Sequence, residues 1–225
     1  MTTEKKRNIV IFGAGEIAQL AHYYFTHDSA YDVSAFTVDK DFRQGDTYCD
    51  LPLVDFESVE KQYPPSQYGM FVALSYRGLN SLRADKVKDA RAKGYDLVSY
   101  ISSHATVFPN VTIGDNCFLL EDNTVQPFVT IGENVTLWSG NHIGHHAKIG
   151  NHCFITSHVV ISGGVTVGDY AFIGVNATLR DHITVAPKTL IGAGALVLFD
   201  TQEKEVYVGQ KSKPAPMTSD QVKNI

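Results

Sequence analysis

From residue 101 to residue 197 every sixth position carries Ile, Leu or Val, beginning Ile101, Val107, Ile113 and ending Leu179, Val185, Ile191, Val197, with no gap in seventeen repeats. A spacing of six matches neither the 3.6-residue period of a helix nor the period of two of a lone strand, so this stretch must be a repeat architecture. A second period overlies the first, because Ile113-Gly114, Ile131-Gly132, Ile149-Gly150 and Val167-Gly168 recur every 18 residues. Three hexads therefore close one turn of a coil with a triangular cross-section, each hexad supplying a short strand and a corner; seventeen hexads make about five and a half turns. The sixth-position aliphatics point inward and stack on residues 18 before and after. Two places earlier lies a second inward slot with short side chains such as Ala105, Cys117, Val135, Ala147, Cys153 and Ala177. Thr is frequent just before the stacked aliphatic, as suits an outward β position, and Asp, Asn, Gly and Pro fill the corners.

These features resemble the hexapeptide-repeat acyltransferases. The resemblance implies that the coil is an all-β left-handed parallel β-helix; the handedness does not follow from the period.

The residues ahead of the coil read differently. Asn8 to Phe12 predicts a buried strand, Gly13-Ala14-Gly15-Glu16-Ile17-Ala18 a glycine-rich turn, and the following stretch an amphipathic helix to about His27. A second strand is expected over Asp32 to Val38, ending in Asp39, Lys40 and Asp41, where a dinucleotide fingerprint places its acidic residue. A helix over Asp55 to Tyr63, a third strand over Tyr68 to Leu74, a helix over Leu79 to Lys93 and a last strand over Asp96 to Tyr100 complete an α/β Rossmann-like half-domain with both sheet faces covered. Gly13 and Gly15 admit three readings: a site for NAD or a flavin, a cradle of N–H groups for the pyrophosphate of a nucleotide sugar, or a tight turn without ligand. About four strands is half of a full dinucleotide fold, which weakens the first. The division expected is 1–100 for the nucleotide-sugar-binding part, 101–198 for the β-helix and 199–225 for a tail.

Charge and cysteines narrow the partners. The formal charge of −5 without a basic tract argues against nucleic acid. Cys49, Cys117 and Cys153 lack paired spacing, which fits a reducing compartment. The polar start MTTEKKRN and the lack of a long apolar run argue against a signal peptide or membrane span, so a cytoplasmic location is expected.

A Rossmann-like half running into a hexapeptide coil is similar to the bacterial nucleotide-aminosugar N-acetyltransferases, and the resemblance covers essentially the whole chain. It implies acetyl-CoA-dependent acetylation of a free amine on a UDP- or dTDP-linked dideoxysugar, in O-antigen, capsule or glycoprotein glycan synthesis. It also implies a homotrimer whose sites lie between coils. By that likeness Gly13, Ala14, Gly15 and Asp39 hold the nucleotide, and no metal is expected.

One corner departs from the rest. At the first corner position the coil uses residues such as Ser103, Asp115, Glu133, Asn151, Gly163 and Asp169, and only His145 places an imidazole there. His104, His146, His152, His158 and His182 share the next position with several Asn, as ordinary turn residues do. His142 sits in an outward slot where Thr is usual. The stretch Ile143-Gly144-His145-His146-Ala147-Lys148-Ile149-Gly150 resembles the family's catalytic segment, which makes His145 the general base; His146 stands where the family commonly has Asp or Glu. One turn on, Gly163-Gly164 falls beside His145-His146, leaving a cleft, and the likeness makes the Gly163 N–H an oxyanion donor. The tail residues Val208-Gly209 through Pro214 resemble the family's CoA-proximal segment, with Lys211 and Lys213 placed near the coenzyme phosphates. Trp138 and Arg180 interrupt outward slots, as residues facing a neighbouring subunit would. A sugar O-acetyltransferase, a zinc enzyme like the γ-class carbonic anhydrases and a non-catalytic nucleotide-binding scaffold are the alternatives.

Overall fold

The protein is described by a computed structural model covering residues 7–221. Its first part is one sheet. Strand β1 (Arg7–Phe12) leads through the glycine turn into helix α1 (Glu16–His27), then β2 (Tyr31–Val38), β3 (Thr47–Tyr48), β4 (Leu51–Asp55), β5 (Gly69–Val72) and helix α2 (Ser81–Ala92). The order is β3-β4-β2-β1-β5, parallel except for the β3–β4 hairpin. Alternation along β1 sends Ile9 and Ile11 into an apolar cluster with Phe25 and Phe36, and Val10 and Phe12 into another with Val72 and Val87. Both faces of the sheet are thus buried.

Three expectations need correction. The β3–β4 hairpin is absent from the sequence reading, so the strand over Tyr68 to Leu74 is the fifth in chain order. The segment read as a helix from Asp55 is a 3-10 stretch, Phe56–Lys61, cut short before Pro64-Pro65, whose rings cannot continue it. Asp96 to Tyr100 is not a sheet strand: Leu97 makes a single bridge to Met70, and Tyr100 already belongs to the coil through its N–H to Cys117.

The coil comprises seventeen two-residue strands, from Tyr100–Ile101 to Leu196–Val197, each pairing in parallel with the strand 18 residues away. They form three sheets, and Val206–Tyr207 adds to one of them. The first, here the aromatic face, presents Tyr100, Phe118, Thr136, Phe154 and Phe172 outward; the second presents Thr124, His142 and Val160; the third Thr130, Lys148 and Thr166. The stacked aliphatics from Leu119 onward are buried, each worth about 1.5–3 kcal/mol. Ile101 departs from the pattern at 41% exposure, because it begins the coil and has no turn beneath it. Asn123 and Asn141 take two inward slots. Their amides donate to carbonyls including that of Trp138, so burial leaves those donors satisfied.

The aromatic face is where the sheet packs. Phe118 and Leu120 join Phe25, Phe71 and Tyr100 in one cluster, and Trp138 packs against it. Trp138, partly buried, packs against this chain's own sheet, and Arg180 lies over the Phe199 ring. Among the described residues no helix is long and apolar enough to cross a membrane.

Candidate active site

Two places gather the residues singled out in the sequence. The first is a cavity of about 830 Å³ at the C-terminal edge of the sheet, lined by Gly13, Ala14, Asp39, Tyr48, Arg77, Ser81 and Lys86 among others. It lies where β1 has β2 on one side and β5 on the other, the reversal at which open parallel sheets bind ligands. Gly13 has a φ of +129°, and a Cβ there would meet the Ala73 carbonyl oxygen at 2.7 Å, so only glycine fits. Gly15 instead leaves open space around its Cα and starts α1 without a side-chain cap, although it does not itself line the cleft. Its carbonyl accepts from the Tyr48 hydroxyl at 3.1 Å. Asp39 faces the same cavity, where it accepts from Lys86 Nζ at 2.7 Å. Burial acts to lower the Lys86 ammonium, but Asp39 and Asp89 outweigh it and raise its pKa. Tyr48, Arg77, Ser81 and Lys86 carried no sequence signal, since Tyr48 lies in a strand too short to show alternation and the others in a loop or helix whose period points nowhere special.

The second place is the corner between the second and third faces. The first corner position there holds Pro127, His145, Gly163 and Asp181 in successive turns, and the second Phe128, His146, Gly164 and His182. At the second position the chain is left-handed, with φ of 67° at Phe128, 61° at His146, 70° at Gly164 and 56° at His182. His152 and His158 share this conformation at other corners. His and Asn enter it more readily than other side chains, which explains the recurrent histidines.

His145 differs in every respect. It is exposed, its N–H donates to Gln126 Oε1 at 2.8 Å, and its Nδ1 lies 3.1 Å from Nδ1 of His146, the rings nearly perpendicular. The exposed Phe128 ring lies against His146 at 4.7 Å. Above, Gly163 backs onto the imidazole: a Cβ there would sit 2.7 Å from Cε1 and 2.8 Å from Nε2 of His145. The Gly163 N–H has no acceptor among the described residues. Gly164 makes room for the His182 ring rather than for His146, so of the glycine pair only Gly163 bears on His145.

The other candidates are less gathered. His142 stands half-buried on the second face, in the strand that leads into the corner of His145. Lys211 and Lys213 are exposed on the tail, which starts over the last coil turn where Gly209 touches Ala193, three turns beyond His145 in the coil. Among the described residues no three His, Cys, Asp or Glu converge as a metal site.

The bacterial transferase hexapeptide (six repeats) family matches over residues 110–144 and 128–163, spanning this corner. No curated protein matches. Among solved structures, PerB from Caulobacter crescentus, in complex with CoA and GDP-perosamine, is 26% identical with a TM-score of 0.80, over 90% of this chain and 94% of that one. The coil and its preceding sheet thus resemble the hexapeptide-repeat acyltransferases, whose family model matches the central part of this chain. A histidine variant of perosamine N-acetyltransferase from the same organism is 25% identical with a TM-score of 0.67, over 90% and 93% of the two chains. The acetyltransferase domain of PglB from Neisseria gonorrhoeae, 24% identical with a TM-score of 0.66 over 93% and 100%, shares the fold.

Proposed function

We propose that this acyltransferase moves an acetyl group from acetyl-CoA to the free amine of a nucleotide-linked amino-dideoxysugar, with His145 as general base. The observation that carries this reading is the seat of His145 under Gly163, where any side chain would collide with the imidazole. An exposed base against a stripped backbone leaves room for a thioester.

The chemistry follows from those groups. The sugar amine is mostly protonated near neutral pH, and histidine titrates where it can accept a proton. With its Nδ1 proton donated to His146 Nδ1, His145 presents a free Nε2 lone pair to the amine. His146 would thus orient the base in place of the family's carboxylate. The ammonium gives up its extra proton to solvent on binding; as the neutral amine nitrogen bonds to the acetyl carbon, the His145 Nε2 takes one of its two remaining protons, the oxyanion rests on the Gly163 N–H, and the C–S bond breaks. The proton held by His145 then passes to the departing thiolate, leaving the neutral amide and CoA–SH. Gly163, Gly164, Lys211 and Lys213 are assigned to CoA, and His142 to the acceptor.

The nucleotide belongs in the cleft, its pyrophosphate on the N–H groups of Gly13-Ala14-Gly15 and the start of α1, with Asp39 beside it. UDP and dTDP come from the family likeness, and GDP is added by the perosamine enzymes, which carry GDP-perosamine. The sheet and α2, which carry the cleft, pack on the aromatic face, whereas His145 stands on the corner opposite that face. A sugar held in one chain's cleft would therefore meet the His145 of another, which supports a homotrimer with sites between coils. The same reading treats 1–100 as Rossmann-like and nucleotide-binding, 101–198 as a left-handed β-helix, and 199–225 as the CoA tail. It places the reaction in the cytoplasm, in surface-glycan synthesis.

The test is CoA release from acetyl-CoA with a panel of GDP-, UDP- and dTDP-linked 3-amino and 4-amino dideoxysugars. Turnover on one amine is expected. Turnover confined to hydroxyl acceptors, or none at all, would overturn the reading.

A further inference from the structure

The wall of the cleft formed by the β5–α2 connection is held in place by the coil. Gly78, Leu79 and Asn80 are all left-handed, with φ of 63°, 52° and 68°. Leu79 is neither glycine nor Asn, and a branched side chain keeps this conformation only where surroundings enforce it. Asn80 is fully buried, and its amide donates to the Ala171 carbonyl of the coil at 3.4 Å, while its Oδ1 finds no partner. One helical turn on, Arg83 is buried as well. Its guanidinium donates to Thr136 Oγ1 and to the Asn134 and Cys153 carbonyls, each at 3.1 Å, and lies over the Phe154 ring. A further donation to the Leu74 carbonyl ties it to the start of the strained loop. Burial draws its pKa down to about 10, and among the described residues no carboxylate pairs with it. A buried, unpaired charge is a costly way to join two units that already share an apolar interface.

The position of this charge suggests what it is for. Arg77, Gly78, Ser81 and Lys86 of the same segment line the cavity, while Asn80 and Arg83, interleaved with them, turn to the coil. We propose that Asn80 and Arg83 are positioning residues. They clamp the strained loop to the coil and so fix Arg77 and Ser81 in the cleft wall that receives the nucleoside diphosphate. The proposal rests on the cleft being the nucleotide site. Charge alone does not suffice for the clamp, because the guanidinium fork reaches acceptors on two coil turns together.

Three variants test it: Arg83→Lys, which keeps the charge but loses the fork; Asn80→Gly, which suits the left-handed backbone but removes the anchor; and Arg77→Ala. Calorimetry with GDP, UDP and dTDP should show the wild type binding one of them. In Arg83→Lys and Asn80→Gly that affinity falls about tenfold, and KM for the nucleotide sugar rises equally, with kcat at saturation and KM for acetyl-CoA held. Arg77→Ala should lose affinity similarly without further loss when combined with Arg83→Lys. If the wild type binds but both clamp variants bind equally well, the clamp is wrong and the cleft reading stands. If all kinetic parameters fall together with the melting temperature, Arg83 is merely structural. A wild type that binds none of the three overturns the cleft reading, and the clamp with it.

Discussion

Two corner columns of the coil share one backbone and differ in everything attached to it. Where the third face meets the aromatic face, Asn116, Asn134, His152 and Tyr170 stack at φ between 53° and 61°. The Asn116 amide donates to Asn134 Oδ1 at 2.9 Å, the Asn134 amide nitrogen lies 3.0 Å from His152 Nδ1, and Tyr170 covers the His152 ring. Asn116 also accepts from the Val72 N–H at the end of β5, so this ladder ties the coil to the sheet. Where the second face meets the third, the same conformations carry Phe128, His146, Gly164 and His182. There His146 turns aside to His145, and Gly163 carries nothing. One column satisfies its polar groups internally and is closed; the other leaves an imidazole and a backbone N–H facing outward. A repeat scaffold makes a site by interrupting a ladder, not by changing its backbone.

The sharpest way to break this contrast is to close the open column. Gly163→Ala places a methyl against the His145 ring, and kcat/KM should fall about 100-fold while the melting temperature holds. A rate within threefold or so of wild type would mean that the imidazole can move aside freely. His146→Asn keeps a residue that tolerates the left-handed corner but withdraws the partner of His145 Nδ1. Losing one neutral hydrogen bond, about 1 kcal/mol, should slow turnover roughly 5- to 10-fold. His158→Asn, at a corner where the ring only fills the space over Gly140, should leave the rate unchanged.

The closed column should answer in stability instead. Asn134→Ala takes one of two acceptors from the Asn116 amide, which keeps the Val72 carbonyl, and removes the partner of His152, at a cost of about 1–3 kcal/mol by denaturant unfolding, with activity per folded molecule retained. The smallest effect is in pH. Burial, assisted by Arg83 and Arg91 and opposed by Glu133 and Asp169, lowers the His152 pKa in the folded chain. Because the unfolded histidine takes up its proton first, this contribution is complete above its unfolded pKa of about 6.5 and is lost as pH falls below it. His152→Asn should flatten the acid side of the stability curve; an unchanged slope between about pH 6.5 and 5 would remove His152 from the account.

Much of this was legible because a period is global while a burial environment is not. The six-residue spacing located all seventeen coil strands, and the lone imidazole at a first corner position pointed to His145. The histidines at the second position are explained by a left-handed backbone, visible in sequence only as their mixture with Asn. The β3–β4 hairpin went unread since Thr47-Tyr48 is too short to show alternation. Arg83 reads in sequence as an ordinary helix-surface cation; only the fold sets the carbonyls of two coil turns around it. The same holds for Arg77, Ser81 and Lys86, which reach the cleft because α2 begins at the sheet's C-terminal edge.

The most direct measurement of the central claim is CoA release by His145→Ala, set against wild type with the accepted nucleotide-linked amine at saturation. The account predicts a fall of at least about 100-fold with nucleotide affinity and melting temperature retained. Turnover within roughly tenfold of wild type would contradict it and take the base away from this corner.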